Sequence, residues 1–497
     1  MVGLWISLLV LLVGLLVRSY LKLLTKHRKF PPGPLPLPLI GTLWCTGIRF
    51  STDTLTKVTQ KYGNFATIWV GHYPIVIMSG FQIVKEGLIN HSEELADRPV
   101  TYFVLHAFKR KGIGFANGHS WKQQRRFGII TMRNLGLGKK GMEFQIEEEA
   151  RRLVEAFSQT NGQPLDPSLL ISNAISSLIS TVSFGYRFSH EDEMFRKLMG
   201  SIDSLAQFGV SFSHALYTTF PSIMKYLPGL HQWTLANMKM ALSFAKEEIQ
   251  KHKENQDLHD PQDFIDYYLL QMEKSKGDPN STFSEDNLAQ CIIELFIAGT
   301  ETTSSSLQWA LLLMVAHPDI QERVYKEMED VLGSSHSVSY QDRKKMPYTN
   351  AVIHEAQRVK YILPVGIPRR CAKELHILGY HIPKKTIVVT DLNSVLCDPK
   401  QWETPNEFNP NHFLDKEGKF ITREEFLPFG AGARVCLGEQ MARMELFLFF
   451  TNLLRAFKFQ LPEGVKELNK EPVVAISMHP HPYKLCAIPR NSSCQII

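Results

Sequence analysis

Cysteine is scarce and dispersed in this 497-residue chain. The seven cysteines are an odd number, spread along the sequence at Cys45, Cys291, Cys371, Cys397, Cys436, Cys486 and Cys494. This distribution argues against a disulfide framework and indicates a reducing compartment. It also argues against zinc and iron–sulfur sites, because these sites need several cysteines and no other cysteine lies near Cys436 in the sequence.

Neither sign of charge is in large excess. Lys and Arg number 55 against 49 Asp and Glu, which gives a formal net charge of +6. Nucleic-acid-binding proteins carry dense basic tracts that this chain lacks, so we expect no nucleic-acid partner. The mild basic excess better fits an anionic membrane surface or an acidic partner protein. Apolar residues make up 44% of the chain, which is enough for a substantial core.

Charge is absent from residues 2–17, and the leucines at 21, 23 and 24 extend this run beyond Arg18. The run reaches the length that a bilayer requires, so we predict a transmembrane anchor at 1–24. A cleaved secretory signal is the alternative, but no basic residue precedes the run and no small-x-small cleavage site follows it. Lys22, Lys26, Arg28 and Lys29 predict that the bulk of the chain is cytosolic.

Five prolines at 30–38 follow the anchor. Proline fixes the backbone angles, so this segment is typical of a semi-rigid spacer. We therefore predict a basic and proline-rich hinge at 25–38 and a catalytic domain at 39–497. Residues 65–70 and 75–78, separated by Gly71-His72-Tyr73-Pro74, predict a β-hairpin at the start of that domain.

Residues 429–438 combine three glycines, one arginine and one cysteine in the order Phe-Gly-Ala-Gly-Ala-Arg-Val-Cys-Leu-Gly. We predict that this loop delivers Cys436 to the start of a helix at about 437–450, where backbone N–H groups and the helix dipole favour a thiolate. The glycines let the backbone bend tightly or lie against a flat ligand, and Arg434 suits a carboxylate. These features indicate a thiolate-bound haem. A bare Gly-x-Gly near a cysteine would indicate only a small buried residue.

The complete string Phe-Gly-x-Gly-x-Arg-x-Cys-x-Gly resembles the haem-binding signature of the cytochrome P450 family without a departure. The resemblance implies haem b, with Cys436 as the proximal iron ligand, Phe429 near the sulfur, Gly438 at the cofactor and Arg434 on a propionate.

Four further positions resemble the propionate-binding residues of the family. Trp121 and Arg125 are four apart on a predicted helix and therefore share one face. As an isolated pair they would indicate a surface cation–π contact. Arg98 and Arg369 occupy positions where some members of the family bind propionate.

Ser284, followed by two acidic residues, predicts the start of a long helix that ends before Pro318. Its middle is Ala298-Gly299-Thr300-Glu301-Thr302-Thr303, where a glycine beside hydroxyl residues predicts a local bulge. By the family resemblance Thr302 is the distal hydroxyl, Glu301 is the adjacent acid of a proton relay and Ala298 lies at the cofactor. Without the cysteine signature, two threonines in a helix would indicate only a tolerated polar pair.

Glu355 and Arg358 are three apart on a helix predicted to begin at Pro347, and they resemble the Glu-x-x-Arg structural pair of the family. In isolation they would indicate a surface ion pair of little energetic weight. His412 stands where many members of the family carry arginine. We therefore expect this third member of the network to hydrogen-bond differently or to respond to pH.

Family position also predicts an apolar substrate pocket. Its members by resemblance are Phe103, Phe108, Phe115, Phe208, Phe296, Ile297, Ala298, Leu363, Val365, Ile367 and Ile476. Residues 101–118 predict a mobile lid over the pocket, and the aromatic and aliphatic residues between 212 and 233 predict a second membrane contact. Polarity alone does not distinguish a fatty acid, a steroid or a foreign compound as the substrate.

The resemblance extends from the anchor to Pro489 and is greatest to the vertebrate microsomal members of family 2. It implies a mainly α fold with small β-sheets and a monooxygenase that inserts one oxygen atom from dioxygen into a lipophilic small molecule. The chain has neither a P-loop nor a Rossmann fingerprint, so electrons from NADPH must arrive through another protein. NADPH–cytochrome P450 reductase is the implied donor, and cytochrome b5 is a second candidate. The implied location is the endoplasmic reticulum membrane, with the catalytic domain on the cytosolic face.

Two other functions remain open at this stage. A haem-thiolate isomerase or dehydratase of lipid peroxides would need no reductase, but such members tend to lack the pair formed by Glu301 and Thr302. A haem sensor without turnover would consume no NADPH in the presence of substrate and reductase. For a reductase-dependent enzyme, we predict a basic docking surface formed by Lys122, Arg126, Arg133 and Arg443.

Overall fold

The computed structural model describes residues 2–47, 52–136, 140–188, 192–209, 211–255, 260–333, 337–475 and 477–490. The α-helices in this part of the chain are α1 Val2–His27, α2 Leu43–Thr46, α3 Thr52–Tyr62, α4 Phe81–Lys85, α5 Tyr102–Phe108, α6 Gly118–Asn134, α7 Lys140–Ser158, α8 Ser168–Phe184, α9 Glu193–Gly209, α10 Phe212–Thr219, α11 Pro221–Met224, α12 Leu230–Asn255, α13 Phe264–Lys274, α14 Glu285–Ala316, α15 Pro318–Leu332, α16 Pro347–Val359, α17 Asn393–Leu396 and α18 Glu439–Ala456. The strands are β1 Phe65–Val70, β2 Tyr73–Ser79, β3 Arg369–Arg370, β4 Leu375–Ile377, β5 Tyr380–Ile382, β6 Ile387–Asp391, β7 Phe457–Gln460, β8 Pro472–Val474, β9 Met478–Pro480 and β10 Cys486–Pro489. The predicted mainly α fold with small sheets is confirmed.

The chain forms two compact units. The first contains residues 1–100, 363–401 and 429–435, and the second contains residues 101–362, 402–428 and 436–497. The division into an anchor, a hinge and a catalytic domain at residues 24 and 38 stays a prediction.

The first unit contains a four-stranded sheet in the order β1-β2-β6-β3. The predicted hairpin forms its edge: β1 and β2 are antiparallel, and Phe65 lies opposite Met78. Strand β6 is parallel to β2 and antiparallel to β3. Apolar side chains of β1 and β2 pack against Leu55 and Val58 of α3, which gives this unit its own core.

Helix α1 also belongs to the first unit. Its residues Gly3–His27 form a helix that is long and apolar enough to cross a membrane, judged by length and composition. The end of this helix packs on the sheet, because the ring centroids of His27 and Phe30 lie 6.2 and 5.5 Å from that of Trp69. The side chains of Leu23, Phe30 and Trp69 are buried.

The second unit is built around α14, a helix of 32 residues whose side chains are mostly buried. Ser284 caps its N-terminus by accepting a hydrogen bond from the Asn287 amide at 3.3 Å, and Pro318 follows its C-terminus, as the sequence predicts. Helices α7, α8, α12 and α18 pack together with α14 in one continuous hydrophobic core. The bulge predicted near Gly299 is wrong, because α14 is a regular α-helix from Glu285 to Ala316.

Candidate active site

The loop before Cys436 is shaped by contacts within the first unit. Gly432 has a φ of +72°, and an added Cβ would lie 1.7 Å from the Leu88 carbonyl oxygen. The next residue, Ala433, donates its amide hydrogen to Ser92 Oγ at 2.7 Å. Glycine is therefore required at 432 by the close approach of another backbone segment. Gly438 differs, since its φ is −89° and an added Cβ would meet no atom within 4 Å, so a role at the cofactor stays a prediction.

Cys436 lies in the second unit, three residues before the first residue of α18. The helix begins at Glu439 and ends at Ala456, later at both ends than the predicted 437–450, because Leu453 and Leu454 continue its buried face. Burial raises the pKa of the Cys436 thiol, while the backbone amides of Gly438 and Glu439 and the charge on Arg125 act in the opposite direction. The helix start thus favours the thiolate as expected, but desolvation is the larger effect.

The Cys436 side chain is nevertheless exposed to solvent. Protein atoms surround the Cys436 thiol densely enough to desolvate it, yet the sulfur stays accessible. The sulfur therefore borders an internal space. Ala298 gives the same indication from α14: it is exposed, whereas Phe296 and Thr300 on either side are each 1% exposed. Both accessible positions belong to the second unit.

Thr302 lies one helical turn after Ala298. Its hydroxyl donates to the Ala298 carbonyl oxygen at 2.7 Å and is accessible. This is the backbone-directed hydrogen bond that the sequence predicts for a hydroxyl residue in a helix. The oxygen of Thr302 keeps its lone pairs for a second hydrogen bond on the accessible side of α14.

Glu301 contacts two residues near the end of the chain, Ser477 and His479. Its Oε1 atom accepts from Ser477 Oγ at 2.7 Å and lies 3.0 Å from His479 Nε2. Ser305 Oγ lies 2.8 Å from His479 Nδ1. Sequence reasoning missed Ser477 and His479 as functional candidates, because nothing local indicates that β9 and α14 are neighbours.

The arginine residues predicted to bind propionate fall into two sets. In the first unit Arg98, Arg369 and Arg434 are buried, with exposed fractions of 7%, 5% and 7%. Arg98 donates to the Ile367 carbonyl at 2.8 Å, Arg369 to the Ala431 carbonyl at 2.9 Å and Arg434 to the Ala96 carbonyl at 2.7 Å. Carbonyl acceptors are neutral, so they orient the guanidinium groups without cancelling their charge. Phe429 is half-buried in the same unit.

Trp121 and Arg125 form the second set, on α6 of the second unit. Trp121 is buried and Arg125 is half-buried. Desolvation lowers the pKa of Arg125, and the negative charge of Cys436 acts in the opposite direction. Arg125 is therefore close enough to Cys436 for their charges to interact.

Besides the partners of Glu301, sequence reasoning also missed a buried carboxyl group on α18. Glu445 is 1% exposed, and its Oε2 atom accepts from Thr303 Oγ1 of α14 at 3.2 Å. Within the described ranges no hydrogen-bond donor reaches its other oxygen, Oε1. Burial raises the pKa of Glu445 to about 8, and the bond from Thr303 acts in the opposite direction.

The pair formed by Glu355 and Arg358 is completely buried, with both side chains 0% exposed. Arg358 binds both oxygens of Glu355, at 2.8 Å from Nε and 2.7 Å from Nη2, and donates further to the Pro405 and Glu407 carbonyls. The pair is therefore a bidentate core contact and not a surface ion pair.

His412 joins this network through both ring nitrogens. The Thr404 amide lies 3.2 Å from Nε2, and Nδ1 lies 3.1 Å from Glu355 Oε1. Because a backbone N–H can only donate, Nε2 is the acceptor, and Nδ1 carries the hydrogen that binds Glu355. A neutral imidazole thus hydrogen-bonds differently from an arginine, which has donors only.

Four of the predicted pocket residues form one aromatic cluster. The ring centroid of Phe103 lies 4.5 Å from that of Phe208 and 6.4 Å from that of Phe108, which is 4.2 Å from that of Phe115. Phe296 has different ring partners, Phe184 and Phe195. The structure therefore brings helices α5 and α9 together, and it buries Phe103, Phe108 and Phe208 in the same hydrophobic core as Phe296.

The remaining pocket candidates are distributed between the units. Ile297 is half-buried on α14 in the second unit. Leu363, Val365 and Ile367 belong to the first unit, where Ile367 is 45% exposed and Val365 packs on the core around Leu55. Ile476 lies outside the described residues.

The predicted lid is partly helical and is held to α14. Helix α5 occupies Tyr102–Phe108, and the loop after it donates the Ile113 and Gly114 amides to Glu294 Oε2 at 2.6 and 2.8 Å. The Gly112 amide donates to Asn287 Oδ1 at 3.1 Å. The mobile lid stays a prediction, and in this structure one carboxylate accepts two consecutive amides of the segment.

Two surface features bear on the expected partners. Lys122, Arg126 and Arg133 are exposed along α6. Arg443 is half-buried, since it binds Glu439 and His354 and packs on Phe426, and its inclusion in the docking surface stays a prediction. Large apolar side chains are exposed around α10 and α11 at Phe212, Phe220, Ile223, Tyr226, Leu227 and Trp233.

The candidate residues fit a haem. One accessible sulfur at a helix start supplies a single soft axial ligand, and an accessible alanine on a buried helix leaves room for a flat group. Buried guanidinium groups suit carboxylates of the propionate type. The second unit alone offers Cys436, Arg125, Trp121 and Ala298, and the first offers three oriented arginines.

Comparisons with known proteins give one consistent result. A family model described as Cytochrome P450 matches residues 31–487. Cytochrome P450 2J2 of Homo sapiens is 42% identical over 476 residues, which cover 96% of this chain and 94% of the relative. Cytochrome P450 2J3 of Rattus norvegicus is 40% identical over 484 residues, covering 97% and 96%, and cytochrome P450 2B4 of Oryctolagus cuniculus is 40% identical over 465 residues, covering 94% and 95%.

The expectations on reaction class and cofactor are thereby confirmed: the protein is a haem-thiolate monooxygenase that uses haem b and receives NADPH electrons through a reductase. The match spans nearly the whole catalytic part of the chain, and the same residues carry the cysteine signature, the buried Glu-x-x-Arg pair and the long central helix. On this combined ground, the chain belongs to the cytochrome P450 family.

Proposed function

We propose that Cys436 is the axial thiolate of a monooxygenase that acts on lipophilic small molecules by hydroxylation or epoxidation, with fatty acids, steroids and foreign compounds as the candidate classes. The observation that carries this proposal is the accessibility of Cys436 just before α18 and of Ala298 on the mostly buried helix α14. An apolar enclosed site excludes water from the reaction.

The haem, when bound, supplies the iron chemistry that activates dioxygen. The residues of this chain bind it and handle protons. Arg98, Arg369 and Arg434 of the first unit are proposed to bind propionate through their charge. Trp121 and Arg125 of the second unit are proposed for the same role through N–H donors.

Thr302 and Glu301 are proposed as the proton relay. The Thr302 hydroxyl donates to the Ala298 carbonyl, so its oxygen is oriented to accept a hydrogen bond and pass a proton on by reorientation. Glu301 is the adjacent acid on α14, and its carboxylate supplies the titratable group that a hydroxyl lacks.

The aromatic cluster of Phe103, Phe108, Phe115 and Phe208 is proposed to contact the substrate. Such an aromatic surface binds a ligand by burying apolar surface, and it has few polar groups that would fix the orientation of the ligand. It therefore fits several classes of lipophilic molecule.

The proposed electron donor is NADPH–cytochrome P450 reductase, with cytochrome b5 as a second donor, and the exposed basic residues of α6 are the proposed contact. We also propose anchoring in the endoplasmic reticulum membrane through α1, with the catalytic units on the cytosolic face. The exposed apolar residues around α10 and α11 are the proposed second membrane contact.

The test of the central proposal is the carbon monoxide difference spectrum of the reduced protein. The wild type should show the red-shifted band that is typical of a thiolate ligand, and Cys436→Ala should lose it. Cys486→Ala, which removes a buried cysteine near the C-terminus, is the matched control and should keep the band. Retention of the band by Cys436→Ala would refute the assignment.

A further inference from the structure

The carboxylate of Glu301 contacts two side chains from one short segment. Ser477 Oγ lies 2.7 Å from Glu301 Oε1, and His479 Nε2 lies 3.0 Å from the same oxygen. Ser477 donates its one hydrogen to the carboxylate, so in its contact with Ser477 Oγ at 3.5 Å it is Nε2 of His479 that carries the hydrogen. The hydrogen bond from Ser477 and the close charge contact with His479 together restrict the side chain of Glu301 to one orientation.

The second nitrogen of His479 has a partner that tolerates either protonation state. Nδ1 lies 2.8 Å from the Ser305 hydroxyl. A hydroxyl can donate or accept after a rotation about its C–O bond, so Ser305 satisfies Nδ1 with or without a hydrogen. Ser305 therefore holds the imidazole against α14 through its second nitrogen.

Asp203 of α9 is the third charged group at this site. Desolvation and the charge on Glu301 raise the pKa of Asp203, and His479 acts in the opposite direction. The Asp203 side chain is exposed, and its charge interacts with those of Glu301 and His479. Among the described residues, the charged groups of this site are thus Glu301 of α14, His479 of β9 and Asp203 of α9.

We propose that His479 is a positioning residue for the proton relay: together with Ser477 it fixes the Glu301 carboxylate, and its imidazole forms with Asp203 the charged surroundings of that acid. The inference rests on the proposed roles of Glu301 and Thr302. A relay needs its acid in one defined place, because proton transfer requires hydrogen-bond distances. The residue acts on the reaction through Glu301 and not by contact with substrate.

The first test measures the electrostatic contacts without turnover. The haem-loaded enzyme is titrated by infrared difference spectroscopy, and Asp203→Asn identifies the carboxyl band of Asp203. His479→Leu should move the midpoint for Asp203 to higher pH, because a favourable positive charge is lost, and Glu301→Gln should move it to lower pH. If neither variant moves the midpoint, the three groups do not face one another and the proposal is overturned.

The second test measures coupling, the product formed per NADPH consumed, with reductase and a fluorogenic alkoxycoumarin as the lipophilic probe. His479→Leu should lower this ratio about threefold and divert electrons to peroxide, because the acid is misplaced and not removed. His479→Gln keeps a donor at the same reach and should stay close to the wild-type ratio. The matched control is His481→Leu, in the same segment, which should leave the ratio unchanged.

The outcomes separate this inference from the proposed relay. The positioning role is overturned if His479→Leu couples as well as the wild type, or if His479→Gln couples as poorly as His479→Leu. If Thr302→Ala and Glu301→Gln also couple normally, the relay itself fails, whatever the titration of Asp203 shows. An unchanged KM for the probe in the His479 variants distinguishes positioning from loss of the pocket.

Discussion

Glu445 is a buried acid whose protonation should affect stability. Its pKa is about 8 in the folded protein against an ordinary value of 4.5. The folded state therefore binds this proton more tightly than the unfolded state does. The contribution of this proton to the free energy of unfolding is fully present below about pH 4.5 and is lost as the pH rises to about 8. The contribution is on the order of a few kcal/mol.

We predict that Glu445→Gln, a neutral substitution of similar shape, removes this loss of stability with rising pH. Thermal unfolding of the haem-loaded enzyme at about pH 6 and about pH 8.5 should show a smaller fall in Tm for the variant than for the wild type. Glu467→Gln alters an exposed acid that pairs with Lys470, and it should follow the wild type. Equal falls in Glu445→Gln and the wild type would show that Glu445 does not hold a proton in the folded state.

Single residues also mark the limit of sequence reasoning. Cys436 and Arg434 stand in a contiguous motif, and Thr302 and Glu301 in another, so local sequence is enough to nominate them. The partner of Glu301 is not local, because 176 residues separate it from Ser477. A histidine in a short strand carries no signal of its role until the tertiary fold brings it to α14.

Among the elements, the segment after α5 is bonded to α14 at several points, and one carboxylate accepts two of these bonds. Glu294 of α14 accepts the amides of Ile113 and Gly114. Hydrogen bonds to a charged acceptor each contribute about 1.5–3 kcal/mol. This loop should therefore open less often than its glycines suggest.

We predict that Glu294→Ala accelerates amide hydrogen exchange at residues 109–116 by about tenfold or more, because each 1.4 kcal/mol of lost opening free energy is a factor of ten. Exchange measured by mass spectrometry on the haem-loaded enzyme checks this. Glu285→Ala, on the first turn of the same helix and bonded to Lys253, should leave the loop unchanged. An unaltered exchange rate in Glu294→Ala would mean that other contacts hold the loop.

Element boundaries were predictable where the signal is local. The β1–β2 hairpin follows from two apolar runs around a turn, and α14 follows from the Ser284 cap and Pro318. The regular course of α14 through Gly299 was not predictable, because packing on α8 and α18 outweighs the weak helix propensity of a glycine. An added Cβ at Gly299 would lie 2.6 Å from Ile179 Cδ1, so close packing explains the glycine.

For the whole molecule, electron supply should depend on charge. Lys122 and Arg126 are exposed on α6, the helix that also carries Arg125. We predict that Lys122→Glu with Arg126→Glu raises the reductase concentration for half-maximal turnover about tenfold and flattens its dependence on salt, because complementary charge mainly speeds association and is screened by ions.

The control for this prediction is peroxide-supported turnover of the alkoxycoumarin, which needs no reductase and should stay intact. Lys274→Glu with Lys276→Glu makes the same change of charge at exposed positions on and just after α13 and should leave the reductase dependence unchanged. Loss of both activities in the α6 variant would instead indicate damage to the haem site and would leave docking without support.

The seating of His27 and Phe30 on Trp69 has a mechanical consequence. A flexible tether would let the sheet of the first unit turn independently of α1, but the ring contacts of His27 and Phe30 with Trp69 couple the end of the helix to the sheet. Membrane helices change their tilt when the bilayer becomes thicker or thinner. With α1 in the membrane, as proposed, a change in the thickness of the surrounding lipid tilts the helix, and the sheet tilts with it.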